Sequence, residues 1–165
     1  SGSAHLILDL RNNPGGYLNA AVDMASWFLP AGEVVARESY GASNGETVYR
    51  SKGYNIFPED ASLVVLINGG SASASEILAG ALREHGVATL VGTMSFGKGS
   101  VQELLDLPNG TSLKLTIARW LTPDGISISE DGLTPDLEVD ITLDDIQAGE
   151  DPQLDAAILE VLADD

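Results

Sequence analysis

The sequence contains no cysteine. Thiol catalysis and disulfide bonding are therefore excluded, and redox compartment cannot be inferred. It has only two histidines, His5 and His85, and neither has a second histidine at metal-ligand spacing. Basic residues are scarce: eight against 25 acidic ones, for a net charge of −17. Such a surface repels nucleic acid and anionic membranes, so neither is an expected partner. There is no run of 18 or more apolar residues, so no membrane span is expected. No signal peptide, internal repeat or low-complexity linker is visible.

What remains is a chain of 165 residues, 44% hydrophobic. That length suits one domain with a sizeable core, and the apolar content argues against disorder. Ser1-Gly2-Ser3 reads as a vector-derived scar, and the residues after it already read as a strand. Residues 4–165 are expected to form one domain cut from a longer protein.

The organising stretch is Asn68-Gly69-Gly70-Ser71-Ala72-Ser73-Ala74-Ser75-Glu76-Ile77-Leu78. It follows Leu63–Ile67, an apolar run that predicts a fully buried strand. A helix is predicted from about Ala74 to His85, with Ile77, Leu78, Ala81 and Leu82 on one face and Gly86 as its stop. A serine cluster thus sits where a strand feeds a helix N-terminus, where unpaired N–H groups favour negative charge. Ser73-x-x-Glu76 also fits a capping box, which is a purely structural role. The two readings stand side by side.

In chain order, Ala4–Leu10 predicts a buried strand and Arg11-Asn12-Asn13-Pro14-Gly15-Gly16 a dense turn. Leu18–Leu29 predicts a helix with Ala21, Met24, Ala25 and Phe28 on one face. Glu33–Tyr40 and Glu46–Tyr54 read as a hairpin around Gly41–Gly45, closed by Pro58-Glu59-Asp60. Val87–Gly92 is a short buried strand. Gln102–Leu107 and Ser112–Trp120 form a second hairpin around Pro108-Asn109-Gly110. Ile126–Ile128 and Leu137–Val139 are short strands, residues 144–151 an acidic loop, and Leu154–Leu162 a closing helix. This alternation predicts an α/β fold with a mixed sheet and flanking helices.

Lys98, one of three lysines, lies between Gly97 and Gly99 with Phe96 and Val101 nearby. In an apolar pocket, burial would disfavour its charged form, and a neutral amine can take a proton from a serine hydroxyl. A solvated turn lysine is the plainer alternative. Gly92-x-x-x-x-Gly97-Lys98 imitates a phosphate loop. However, Gly99 stands where Ser or Thr must follow, and the next residues predict a strand rather than a helix. A Ser-His-Asp triad is poorly supported, because His85 is about 18 Å from Ser73 along the same helix.

Three strings closely resemble the carboxy-terminal processing peptidases, or tail-specific proteases. They are Leu6–Gly16, Gly70–Ile77 and Phe96-Gly97-Lys98-Gly99-Ser100-Val101-Gln102. Thr122-Pro123-Asp124-Gly125 and Gly132-Leu133-Thr134-Pro135-Asp136 resemble the same family's later turns. The resemblance runs in order from Ala4 to about Thr142. It implies a fold similar to the ClpP and crotonase groups and a Ser-Lys serine endopeptidase acting on protein C-terminal regions. It also implies Ser73 as nucleophile, Lys98 as general base, and Gln102 as the residue orienting the lysine. Backbone N–H groups of Gly15 or Gly16 and of Ala74 would form the oxyanion hole. No metal or organic cofactor is needed, and an extracytoplasmic site (periplasm or lumen) is implied. The family usually carries a PDZ domain and further core elements ahead of the Asp9 motif. Their absence here leaves open an alternative: an impaired core fragment that binds peptides or self-assembles into homo-oligomers through an open sheet edge. An acyl-CoA enzyme of the crotonase type fits less well, since it has no use for the serine and lysine motifs.

Overall fold

The computed structural model describes residues 5–41, 44–58, 61–129 and 132–163. Ser1–Ala4, the predicted loop residues Ala42 and Ser43, and Glu59 and Asp60 of the predicted turn lie outside these. Elements are numbered in chain order. One sheet is parallel, in the order β1 (His5–Asp9), β4 (Ser62–Ile67), β5 (Thr89–Gly92), β8 (Leu137–Glu138). The other is antiparallel, in the order β3 (Glu46–Arg50), β2 (Val34–Ser39), β7 (Thr111–Leu121), β6 (Ser100–Leu107). The α/β expectation holds, with parallel and antiparallel pairing divided between two sheets.

The unbroken apolar run of β4 is explained by burial on both faces. Leu63, Val65 and Ile67 join the larger core, with α1 (Leu18–Ala25) and α2 (Ala74–Glu84). Val64 and Leu66 point the other way, onto Ala157 and Val161 of α4 (Pro152–Val161). By contrast, the strand expected to be buried at Ala4–Leu10, β1, is only half-buried, because among the described residues it is the edge strand and pairs with β4 alone.

The larger differences from the sequence expectation are these. Helix α1 stops at Ala25, where the buried Ser26 hydroxyl turns back to the Val22 carbonyl at 2.6 Å. Strand β3 ends at Arg50. Residues 126–128 contribute one isolated bridge, Leu121 to Ser127. The predicted acidic loop contains a helix, α3 (Leu143–Ala148). Its acidic residues are compatible with a first turn, and Thr142 and Asp145 cap it reciprocally. Gly149 closes it in the left-handed region at φ 74°.

A single arginine fastens the C-terminal helix to the start of the domain. Arg11 donates Nε and Nη2 to Asp9, and Nη1 to Asp151 Oδ1 at 2.8 Å and Gln153 Oε1 at 3.2 Å. Asp151 also caps α4 through the Leu154 N–H, and the buried Gln153 donates to the Val139 carbonyl. Hydrogen bonds from Arg11 hold both Asp9 and Asp151 below the usual aspartate range. Carboxylates depressed in the folded state stabilise it above their unfolded pKa of about 3.9 and lose that contribution as pH falls through the folded value. Urea midpoints measured from pH 6 to pH 2 should therefore fall more steeply in the parent than in Arg11→Met, whose curve starts lower and is flatter below about pH 4. Parallel curves would remove Arg11 as the source of the acid sensitivity.

Candidate active site

The three motif-bearing loops leave the carboxyl ends of three neighbouring parallel strands: β1, β4 and β5. Open α/β sheets build their sites at that edge. The first two loops are zipped together. Asn12 donates its N–H to the Asn68 side chain, Ala72 donates to the Asn13 carbonyl, and the fully buried Ser71 donates to the Leu10 carbonyl at 2.7 Å. Ser71 is therefore part of the loop tie.

Ser73 sits between β4 and α2 at φ 57°, ψ −116°. A non-glycine residue held there costs about 1–3 kcal/mol, and such strain collects at functional turns. Gly15, at φ 88°, packs directly beneath it. A Cβ on Gly15 would stand 2.4 Å from the Ala72 carbonyl oxygen and 2.7 Å from the Ala74 nitrogen. Only glycine permits that approach. The Gly15 N–H is already given to Asn13 Oδ1 at 3.0 Å. Among the described residues, the N–H groups of Gly16 and Ala74 have no intramolecular acceptor.

Glu76 is completely buried and accepts four hydrogen bonds. They come from Ser73 N–H at 2.7 Å, Ser95 Oγ at 2.6 Å, Gly97 N–H at 2.7 Å and Lys98 N–H at 3.0 Å. It caps α2 and also ties the serine turn to the lysine loop. Ser95 Oγ accepts in turn from Leu133 N–H at 2.7 Å. Phe96 N–H donates to the Ser71 carbonyl. The loop thus turns its backbone inward.

That geometry decides between the two environments offered for Lys98, in favour of the solvated turn lysine. Its side chain is exposed, as is neighbouring Phe96, because the inward positions are taken by N–H groups reaching Glu76. Among the described residues the Lys98 amine makes no hydrogen bond or ion pair, either with Ser73 or with Gln102. Ser73, Lys98 and Gln102 nevertheless line one cleft of about 360 Å³, with Trp120 and Lys114. Trp120 meets the Tyr49 ring edge-on, centroids 5.7 Å apart. The Tyr49 hydroxyl donates to the buried Glu38 at 2.7 Å, and burial together with this bond pushes Tyr49 up to about 12. On the other side of the turn lies an apolar cavity of about 260 Å³, bordered by Gly15, Gly16 and Ala74 and lined by Leu8, Met24 and Leu78 among others. His85 takes no part. It bonds the Val34 carbonyl at 2.7 Å and faces Glu33. The lysine loop feeds strand β6 rather than a helix, which excludes the phosphate-loop reading.

Residues 1–139 match peptidase family S41. This chain belongs to peptidase family S41. It is 44% identical to a carboxy-terminal-processing protease of Bartonella bacilliformis over 90% of this chain and 34% of that protein. It is 42% identical to a carboxyl-terminal-processing protease of Synechocystis sp. over 95% of this chain and 36% of that one. The solved photosystem II D1 C-terminal processing protease superposes with a TM-score of 0.75 at 39% identity, covering 83% of this chain and 35% of that chain. The chain thus spans about a third of the length of these relatives. The described residues of this S41 chain include no helix long and apolar enough to cross a membrane and no metal-holding cluster of acidic or histidine side chains.

Two stability measurements test the geometry. Glu76→Gln replaces an acceptor oxygen by a donor amide and should destabilise the chain by about 2–4 kcal/mol in denaturant titration. Ser73→Gly should relieve the turn and stabilise by about 1 kcal/mol, roughly 2–4 °C in Tm. A neutral Glu76→Gln would mean that the four contacts do not hold the loops.

Proposed function

We propose that this domain is the core of a serine endopeptidase that cleaves in protein C-terminal regions by a Ser73–Lys98 dyad. The observation that carries the reading is the pair of unclaimed N–H groups, Gly16 and Ala74, flanking the strained Ser73 turn. Together they would form the oxyanion hole. Gly15 shapes it by close approach but spends its own N–H on Asn13, so Gly16 is assigned as the donor.

In acylation the Ser73 hydroxyl attacks the peptide carbonyl and its proton passes to neutral Lys98 Nζ. Collapse of the tetrahedral intermediate breaks the C–N bond, and the ammonium returns that proton to the leaving amine. Water then adds to the acyl-enzyme and releases the carboxylic acid. A peptide lying along the cleft would exclude bulk water from the exposed Lys98 amine. Gln102, exposed on the same cleft wall, is assigned to orient the lysine once substrate is bound. The apolar cavity beside the two N–H groups suits the side chain on the acyl side of the scissile bond. The C-terminal class of substrate is taken from the relatives' names, and a site of action outside the cytoplasm only from the family resemblance.

The test is cleavage of an unstructured protein with an apolar tail. Ser73→Ala and Lys98→Ala should each lose at least about 100-fold in kcat, and Gln102→Ala less. Full turnover in Lys98→Ala would sink the dyad. In the same assay, Met24→Ala should enlarge the apolar cavity and shift preference at the acyl-side residue toward larger side chains. An unchanged preference would place that side chain elsewhere.

A further inference from the structure

Two of the chain's three lysines, Lys98 and Lys114, line the cleft that contains Ser73, and among the described residues no acidic side chain lines it. In a chain with 25 acidic and eight basic residues, such a wall is the natural seat for an anion. Lys98 has a role in the proposed chemistry and Lys114 has none. Among the described residues Lys114 makes no ion pair or hydrogen bond through its side chain. It lies on β7 opposite Leu104, while Gln102 lies opposite Thr116. Directly opposed residues share a face, so Gln102 and Lys114 project on the same side of the hairpin. Lys114 stands two pairs nearer the hairpin tip, about 6.6 Å further along.

The direction of a bound peptide follows from the chemistry. Its acyl side lies at the apolar cavity. Its leaving amine must meet Lys98, so the leaving segment runs past Lys98 and Gln102 toward Lys114. We propose that Lys114 is a specificity residue that binds a carboxylate carried by the leaving segment, about two or three residues beyond the scissile bond. The carboxylate has two possible sources, the terminal α-carboxylate of a short tail or an acidic side chain within a longer one. This inference rests on the Ser73–Lys98 reading for the direction of the peptide, and its test does not require turnover.

Ser73→Ala protein is titrated with a fluorescent unstructured peptide bearing an apolar acyl-side residue and a two-residue tail. The tail is supplied as free acid, as amide, and as amide with glutamate at the second tail position. At low salt the free acid should bind about fivefold more tightly than the plain amide. The advantage should shrink in 0.5 M salt. It should vanish in Ser73→Ala with Lys114→Gln, return with Lys114→Arg, and persist with Lys98→Gln. A glutamate amide matching the free acid assigns recognition to any carboxylate at that distance, whereas one matching the plain amide assigns it to the chain terminus. Equal binding of acid and amide, or an advantage that survives Lys114→Gln, would overturn the proposal. An advantage lost only with Lys98→Gln would move the carboxylate to Lys98 and undo both the proposal and the assignment of that lysine as base. A carboxylate preference lodged on Lys114 in a protein whose Lys98→Ala variant keeps full turnover would leave this site standing and remove the dyad.

Discussion

A single buried carboxylate holds the site together. Glu76 collects the Ser73 N–H from its own helix start and the Gly97 and Lys98 N–H groups from a loop more than twenty residues away. An unpaired carboxylate at 0% exposure would be prohibitive, so each donor is required by the burial, and the burial makes each donor hard to remove. The serine turn and the lysine loop consequently share one anchor. Because the loop spends its backbone on that anchor, the Phe96 and Lys98 side chains face outward, Lys98 onto the cleft beside Ser73.

Around this anchor the two sides of Ser73 differ in character. One is an apolar cavity bounded by glycine backbone, the other a polar cleft with two lysines, Gln102 and the edge of Trp120. The parallel sheet makes that division possible. Its strands β1, β4 and β5 deliver three loops to one edge, and the Asn12–Asn68 and Asn13–Ala72 contacts set the glycine turn against the serine turn. The strain at Ser73 is sustained because both neighbours of the turn are fixed independently, by Gly15 below and Glu76 behind. Arg11 extends the same support to the C-terminal helix through Asp151 and Gln153.

The sequence discloses what depends on short-range pattern. The run Leu63–Ile67 marks a strand buried on both faces, and Pro108-Asn109-Gly110 marks the β6–β7 hairpin. Ser73-x-x-Glu76 marks a helix start. Its longer reach is invisible, because Ser95, Gly97 and Lys98 come to Glu76 only through the β4–α2–β5 crossover. The acidic tract at residues 144–151 looks like a loop by charge alone. The Thr142–Asp145 cap, a pattern that the sequence does contain, makes part of it helical. Lys98 looks pocketed because its neighbours are glycines and a phenylalanine. Composition says nothing of which way a loop turns its backbone. The choice between Gly15 and Gly16 as donor likewise depends on a side-chain acceptor, Asn13 Oδ1, that only the folded turn reveals.

The most direct test of the central claim is native-state hydrogen exchange at the Ser73, Gly97 and Lys98 amides. If one carboxylate anchors both loops, the three protons should be protected together and open with one shared free energy. If Gly97 and Lys98 exchange at the rate of an unanchored loop while Ser73 stays protected, Glu76 is only a helix cap, and the serine and lysine loops are held independently.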